Sequence, residues 1–347
     1  MKEKRRSKRM SLKEFLGTRW MSLFITSLLL FGVLVGCGAA NEQEANQTQN
    51  ENAAVTIENE AVENQETDNE KEQEEGFHVS IVDSTGEEIV LTKKPERIVS
   101  LAPSTTEILY FLGAEDRIVG RTDYCTFPET IEKVQSVGTT SSPNVETVLS
   151  LEPDLVVAST HVSEEVIGKL RELGMSVAFL NEQKNFEGTY SAIENIGKLI
   201  GEEEKATEVI TTMKEKVEKV SQSAKAFNQE EKIKVYYVVS FGEADYTAGG
   251  DTFIGEILTL AGGENIAKNI EGWSITKEQI AENEPDIIIA GTGMNIEDMK
   301  NMDFYKDLKA VQEGKIYEVD NDQIVRQAPR VADALIAVHD IIKENQK

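Results

Sequence analysis

The apolar positions of the chain recur as short, uninterrupted runs of β-branched and aliphatic residues, with segments of helical periodicity between them. Runs of this kind predict strands that are buried on both faces, as in parallel sheets. Because these strands alternate with helices, the pattern predicts an α/β fold with parallel sheets wrapped by helices. The predicted sheet strands are residues 97–101, 118–120, 155–158, 177–180, 234–239, 287–290 and 316–319.

One helix–turn–strand pattern occurs twice, at residues 144–160 and again at residues 276–292. Each copy opens with an N-cap candidate, whose side chain can accept hydrogen bonds from the free amides of the first helical turn. Two residues later comes a glutamate, Glu146 in one copy and Glu278 in the other, and Glu-Pro-Asp begins six residues after it. The proline stops the helix, and the apolar strand follows directly.

A second, shorter repeat precedes the first one in each half of the chain. Residues 107–115 and residues 256–264 both read as short helices closed by glycine. Glycine is the expected residue there because it adopts the left-handed conformation at a helix C-terminus without a steric penalty. Two pairs of repeats in the same order predict two similar lobes.

The segment between the two halves, residues 186–227, shows helical periodicity throughout, with a break only at Gly201. Nothing in it alternates as a half-buried strand does, so we predict a long helical connection. The predicted architecture is therefore α/β, with two Rossmann-like lobes at residues 76–184 and 229–347. Their parallel sheets are expected to be joined by one long α-helix within residues 185–228.

The first 36 residues are predicted to be a secretory signal and no part of the fold. A basic segment at residues 2–19 is followed by a largely apolar one at residues 20–35, and Leu-Val-Gly-Cys ends at Cys37. This ending resembles the lipobox of bacterial lipoproteins, which implies cleavage before Cys37 and a diacylglycerol on its sulfur. A plain transmembrane anchor is the alternative, although the apolar run is short for a span of about 20 residues.

An acidic segment follows the cysteine. Residues 41–75 carry 12 acidic residues and one lysine and have almost nothing to bury, so we expect residues 37–75 to be a solvated, disordered tether. The formal charge of the whole chain is −26, which becomes −32 without residues 1–36. This charge excludes binding to nucleic acid or anionic lipid through a basic patch, and it suits a positively charged protein partner.

The spacing of reactive residues weighs against an enzyme. The sequence has no nucleophile motif, phosphate-binding loop or paired-carboxylate site, and a secreted α/β hydrolase is kept only as an alternative. His78, His161 and His339 lack metal-site spacing, and we interpret them as structural or surface residues. Cys125 would be the only cysteine left after lipidation, so no intramolecular disulfide is available. We expect its thiol to be buried, with cobalt or iron ligation as the alternative.

Several short motifs, taken in order, resemble the helical-backbone substrate-binding proteins of ABC importers. They are residues 97–103 with Thr106-Glu107 and Gly113, then Val119-Gly120, the loop at Pro128, the first Glu-Pro-Asp-Leu-Val, residues 262–266 and residues 328–330. The resemblance covers nearly all of residues 95–345. Members of this family bind vitamin B12, ferric siderophores or haem outside the cell membrane, and the vitamin B12-binding branch is the most similar.

The resemblance implies a non-enzymatic, monomeric protein without a cofactor, held on the outer face of the membrane by its lipid. It would capture cobalamin or a related corrinoid between its lobes and deliver it to a dimeric permease. A ferric siderophore or haem is the alternative ligand.

Carried over position by position, the resemblance also assigns roles to six residues. Two tyrosines among them follow sheet strands at their carboxyl ends, where α/β folds bind ligands. The tryptophan lies among polar residues and glycine, a poor place for a core residue. The implied ligand contacts are Tyr124, Tyr246, Trp273 and Arg326, and the implied permease-docking residues are Glu146 and Glu278.

Overall fold

The computed structural model of the protein describes residues 76–228 and 230–346. The predicted signal, Cys37 and the predicted tether lie outside these described residues. The described residues belong to one compact unit. None of the helices in this unit is both long enough and apolar enough to cross a membrane.

The described part of the chain contains twelve strands, eleven α-helices and three 3-10 helices. The strands are β1 (Val79–Val82), β2 (Glu88–Leu91), β3 (Ile98–Ser100), β4 (Ile118–Arg121), β5 (Leu155–Ala158), β6 (Val177–Phe179), β7 (Lys234–Val238), β8 (Asp245–Tyr246), β9 (Glu264–Asn265), β10 (Ser274–Ile275), β11 (Ile287–Gly291) and β12 (Ile316–Val319). The α-helices are α1 (Pro103–Phe111), α2 (Val145–Ser150), α3 (Glu164–Glu172), α4 (Phe186–Ile200), α5 (Glu203–Lys225), α6 (Phe253–Leu260), α7 (Lys277–Asn283), α8 (Ile296–Asn301), α9 (Lys309–Gln312), α10 (Asn321–Val325) and α11 (Val331–Glu344). The 3-10 helices are Glu115–Arg117, Glu129–Lys133 and Tyr305–Asp307.

Two four-stranded parallel sheets form the centres of two lobes. The strand order is β4-β3-β5-β6 in the first lobe and β9-β7-β11-β12 in the second. The two orders correspond strand by strand, with β5 and β11 after the two Glu-Pro-Asp segments. Every residue of β5 and β11 is buried, as uninterrupted apolar runs predict. The predicted α/β architecture of two lobes with parallel sheets is confirmed.

The two copies of the repeat also share an unusual backbone conformation. Glu152 has φ of 44° and Glu284 has φ of 43°, and they are the positive-φ residues other than glycine among those described. Each glutamate lies between the end of its helix and the proline that precedes the buried strand. A left-handed residue without glycine's freedom costs on the order of 1–3 kcal/mol, so the surrounding contacts must hold this turn in place.

A basic side chain stabilises this turn in both lobes. The Arg97 guanidinium donates to the carbonyl of Leu151 at 2.6 Å, and the Lys234 ammonium donates to the carbonyl of Asn283 at 3.0 Å. Leu151 and Asn283 occupy the same position in the two repeats, at the C-termini of α2 and α7. Cations at a helix C-terminus satisfy its free carbonyls and interact favourably with the negative end of the helix dipole. The repeat seen in the sequence is therefore a repeat of contacts as well.

The predicted connection is helical, as two helices rather than one, because the chain reverses at the Gly201 break. Gly201 has φ of 67° and caps α4, and α5 begins two residues later. The two helices then run antiparallel, which places the Lys214 ammonium 4.9 Å from the centre of the Tyr190 ring. A Cβ added to Gly197 would lie 2.6 Å from the Ala206 side chain, so glycine permits the close approach of the helices.

Helix α5 is the element that joins the two lobes. Next to its first residue, Glu202 accepts from Arg117 of the first lobe at 2.7 Å. Near its last turn, the Ser223 hydroxyl lies 2.9 Å from Nε2 of His339 on α11 of the second lobe. Its 23 residues correspond to about 35 Å of helix. The long connection is therefore the second of two helices.

Candidate ligand-binding cleft and docking residues

A cleft of about 650 Å³ lies between the two lobes. Its walls come from the carboxyl ends of the parallel strands, where open α/β sheets bind ligands. In the first lobe the lining residues follow β5 and β6, and in the second they end or follow β7, follow β11 and β12, begin α6 or precede β10. The lining residues are Thr160, His161, Glu182, Gln183, Lys184, Tyr237, Val238, Val239, Asp251, Thr252, Phe253, Ile254, Gly272, Trp273, Met294, Asn321, Ile324, Val325 and Gln327.

The cleft combines apolar walls with few ionic groups. Among its lining residues the only lysine or arginine is Lys184, and its ammonium pairs with Asp251 at 2.8 Å. The hydrogen bond from Lys184, with another from the Gly272 amide, lowers the pKa of Asp251. This ion pair joins the two lobes at the cleft. No unpaired lysine or arginine therefore lines the described cleft.

Glu182 and His161 are the other ionisable groups of the cleft. Burial raises the pKa of Glu182, and the His161 imidazole and the Ser104 hydroxyl oppose that rise only in part. The backbone amide of Glu182 donates to Thr160 Oγ1 at 2.8 Å, which keeps the two strand ends together. With Glu182 and Asp251 acidic and Lys184 basic, the cleft offers no excess of positive charge.

Trp273 lies where the sequence places it, in the wall of the cleft. Its side chain is large and apolar, yet the residue is 47% exposed. Its carbonyl accepts from the Thr247 amide at 2.7 Å, and Asp251 accepts from the neighbouring Gly272 amide at 2.6 Å. The backbone of Trp273 is thus fixed while its indole remains free to contact a ligand.

Tyr246 belongs to a two-stranded ribbon rather than to an irregular loop. It is the second residue of β8 and pairs with Ser274 of β10, which directly follows Trp273. The side chain is exposed but is not among the residues that line the cleft. Tyr246 is therefore paired with the residue that follows Trp273. Contact of Tyr246 with a ligand stays a prediction.

Tyr124 and Arg326 contact each other at the junction of the two lobes. The Arg326 guanidinium donates to the Tyr124 carbonyl at 3.3 Å, and the Tyr124 side chain is exposed. Neither residue lines the cleft. Arg326 is only 8% exposed, and it pairs with Glu107 at 2.9 Å and with Asp322 at 2.7 Å. Its guanidinium is thus engaged by acids of both lobes, and its ligand contact also stays a prediction.

Several cleft residues were not identified from the sequence. His161 and Asn321 lie outside the motifs of the resemblance, and Gln327 stands between Arg326 and the motif at residues 328–330 without a role of its own. His161 follows the carboxyl end of β5, and Asn321 and Gln327 follow that of β12. His161, interpreted as a structural or surface residue, is exposed and lines the cleft. Its place just after the carboxyl end of β5 is where α/β folds bind ligands.

The remaining histidines and the thiol agree with their interpretation. His339 is buried and bonded to the Ala261 carbonyl at 2.9 Å, and His78 is exposed. Cys125 is buried, with the Thr106 hydroxyl 3.1 Å from its sulfur. Within the described residues there is no group of three or more histidine, cysteine or acidic residues that could hold a metal ion.

Glu146 and Glu278 occupy the same position in their helices. Each is the second residue of its helix and is exposed, behind the N-caps Asn144 and Thr276. The Asn144 side chain accepts from the Thr147 amide at 2.9 Å, and Thr276 forms a reciprocal capping box with Gln279. Hydrogen bonds from its own amide and from Thr276 lower the pKa of Glu278. Lys277, the cation next to Glu278 in sequence, pairs with Asp245 at 3.2 Å.

Comparison with known proteins identifies the family. Residues 98–323 match the periplasmic binding protein family. An uncharacterized ABC transporter substrate-binding lipoprotein of Bacillus subtilis is 35% identical over 76% of this chain and 85% of its own length. A cobalamin-binding protein of Halobacterium salinarum is 29% identical over 75% of this chain and 72% of its own.

A solved structure is similar to this chain in both fold and sequence. The crystal structure of a possible iron-binding, periplasmic solute-binding protein from Staphylococcus epidermidis has a TM-score of 0.64 and 31% identity, and the match covers 72% of this chain and 99% of the other. Both matches are to substrate-binding proteins, which are transport components rather than enzymes, so they do not support the alternative of a secreted α/β hydrolase. The chain belongs to the periplasmic binding protein family, whose members are substrate-binding components of ABC importers.

Proposed function

We propose that this protein captures cobalamin or a related corrinoid in the cleft and delivers it to the permease of an ABC importer. The charge of the cleft carries this proposal. A corrin ring is large and flat, and most of its side chains are neutral amides. It therefore suits a cleft with apolar walls, amide and hydroxyl side chains, and no unpaired lysine or arginine.

The alternatives fit that charge less well. Haem carries two propionate groups, and ferric siderophore complexes are often anionic, so both favour free cationic side chains. The exposed His161 is the observation that favours haem, because a neutral imidazole is a common iron ligand. The named function of the Halobacterium salinarum relative supports cobalamin, and that of the Staphylococcus epidermidis relative supports an iron-containing ligand.

Calorimetric titration of the detergent-purified protein should show binding of cyanocobalamin and much weaker binding of haemin or a ferric hydroxamate.

Trp273→Ala should weaken cyanocobalamin binding severalfold, since an aromatic contact contributes about 1 kcal/mol beyond its buried area. Leu173→Ala is the matched control, because Leu173 is equally exposed, at 46%, and lies outside the cleft. Haemin binding without cyanocobalamin binding would favour the alternative, and an unchanged affinity in Trp273→Ala would move the site elsewhere.

We further propose that Cys37 anchors the protein to the outer face of the membrane. Cys37→Ser should release folded protein into the medium or periplasm, because stable attachment requires at least two acyl chains and this variant would carry none. Cys125→Ser is the control, since the only other cysteine of the chain is buried in the fold. Membrane fractionation with an immunoblot measures the effect. A processed Cys37→Ser protein that stays in the membrane would exclude a lipid anchor at this residue.

A further inference from the structure

A buried carboxylate lies directly beside Tyr246. The side chain of Asp245 is only 2% exposed, and a buried charge of this kind is costly unless it is paired and hydrogen-bonded. Asp245 has both kinds of partner. The Tyr305 hydroxyl donates to it, and the Lys277 ammonium lies 3.2 Å from its second oxygen.

Lys277 reaches this carboxylate from the first position of α7. A positive charge is unfavourable there because it opposes the helix dipole, so a specific partner is needed to explain it. The ammonium also donates to the Gly242 carbonyl at 2.5 Å and lies 5.7 Å from the centre of the Tyr305 ring. The Gly242 amide in turn donates to the Tyr305 hydroxyl at 3.1 Å. These contacts form a closed network.

The network joins two functional parts of the second lobe. We call β8 and β10 together with Trp273 the aromatic ribbon. Its strands pair Asp245 with Ile275 and Tyr246 with Ser274. The chain then passes through the N-cap Thr276 to Lys277 and to the proposed docking residue Glu278. Only three residues separate Ser274 from Glu278 in sequence.

We infer that Lys277 is a positioning residue that holds the aromatic ribbon and the docking end of α7 as one rigid unit. A ligand that displaces Trp273 would then also displace Glu278. In the first lobe the equivalent of Lys277 is Val145, which has no charge, so this tie belongs to the second lobe alone. The consequence for ligand and permease rests on the proposed function, whereas the tie itself does not.

The test measures Trp273 directly, without ligand. In a Trp20→Phe background Trp273 is the only tryptophan of the full chain. Lys277→Met should shift its emission and increase its quenching by acrylamide, and should weaken cyanocobalamin binding about tenfold, the scale of one lost charge-assisted hydrogen bond. Lys234→Met is the matched control, because Lys234 contacts the opposite end of α7 at Asn283. It should leave the emission unchanged.

A second variant separates positioning from stability. Lys277→Met leaves Asp245 buried without its cation, so the double variant Asp245→Asn with Lys277→Met removes both charges together. We expect this variant to fold, as judged by circular dichroism, and to show the same emission shift. Unchanged emission in a folded variant, or loss of fold in the double variant, would overturn the assignment. An emission shift in a protein that does not bind cyanocobalamin would retain the tie and reject the proposed ligand.

Discussion

Uptake of the ligand should be abolished when Glu146 and Glu278 are both replaced by arginine, while the affinity of the binding protein for its ligand stays unchanged. Both residues are exposed, and both lie outside the cleft. Their shared place in the repeat gives the two lobes equivalent acidic groups. A permease of two identical subunits presents two equivalent surfaces, which a two-lobed protein can meet with one acid per lobe.

The expected size of this effect follows from interfacial electrostatics. Close charge pairs across an interface couple by about 1.5–7 kcal/mol, and reversal of charge replaces attraction with repulsion at both contacts. Loss of two such pairs would lower the docking affinity by several orders of magnitude. Transport of labelled ligand and ligand-stimulated ATPase activity in membranes measure the result, and calorimetry on the purified variant measures ligand affinity.

A helix-end role is the competing explanation for these glutamates. The first turn of a helix favours a carboxylate through its free amides and its dipole, at any helix of the molecule. The pair Glu165→Arg and Glu297→Arg provides a matched control, because both are exposed second residues of capped helices. This control changes the net charge equally and should leave uptake intact. Normal uptake in the variant with both Glu146→Arg and Glu278→Arg would mean that these glutamates only stabilise the first turns of their helices.

The sequence predicted the elements that depend on local patterns. β5 and β11 were identifiable because a strand buried on both faces needs an uninterrupted apolar run, and both follow the same Glu-Pro-Asp. The N-caps Asn144 and Thr276 were identifiable because short polar side chains at a helix start have one main use. Short strands such as β8 and β10 were not predicted, since two residues carry no periodic signal.

Long-range contacts were the part that the sequence did not provide. Gly201 marked the end of a helix, but the direction of the next helix depends on how Gly197 and Ala206 pack. Arg326 was assigned to the ligand by resemblance, and its pairing with Glu107, 219 residues away, has no local signal. The exposure of Trp273 was predictable because it is an aromatic residue in a polar loop, whereas the partners of Arg326 have no local signal. Contact of either residue with a ligand stays a prediction.

Glu107→Ala should be among the most destabilising substitutions in the described part of the chain. The Glu107 side chain is 1% exposed and accepts from Arg326 at 2.9 Å and from Arg330 at 2.5 Å. Both arginines come from the second lobe, so the substitution leaves Arg330 without its acidic partner and Arg326 paired with Asp322 alone. Removing one partner of a buried ion pair costs about 3–5 kcal/mol, which corresponds to a fall in Tm of roughly 10 °C. Thermal and denaturant unfolding measure it.

The repeat itself supplies the control for this substitution. Glu256 occupies the position of Glu107 in the second lobe, and its described contact is with the Phe186 amide at 2.9 Å rather than with arginine. Burial raises the pKa of Glu256, in part opposed by that amide. Glu256→Ala should therefore cost only about 1 kcal/mol, the net value of one hydrogen bond. An equal loss in the two variants would mean that the arginine pairing adds nothing to stability.

Glu107→Gln tests whether Arg326 serves the lobe junction or the ligand. A neutral side chain of the same shape removes the carboxylate that Arg326 and Arg330 share. Arg326 then keeps only Asp322 as an acidic partner, and both guanidinium groups gain freedom to meet an anion. If Arg326 can reach the cleft, this variant should bind haemin, with its two carboxylates, more tightly than the wild type does. If haemin binding stays unchanged while stability falls, Arg326 acts at the junction between lobes, and the aromatic wall at Trp273 must supply the ligand contacts of this region without it.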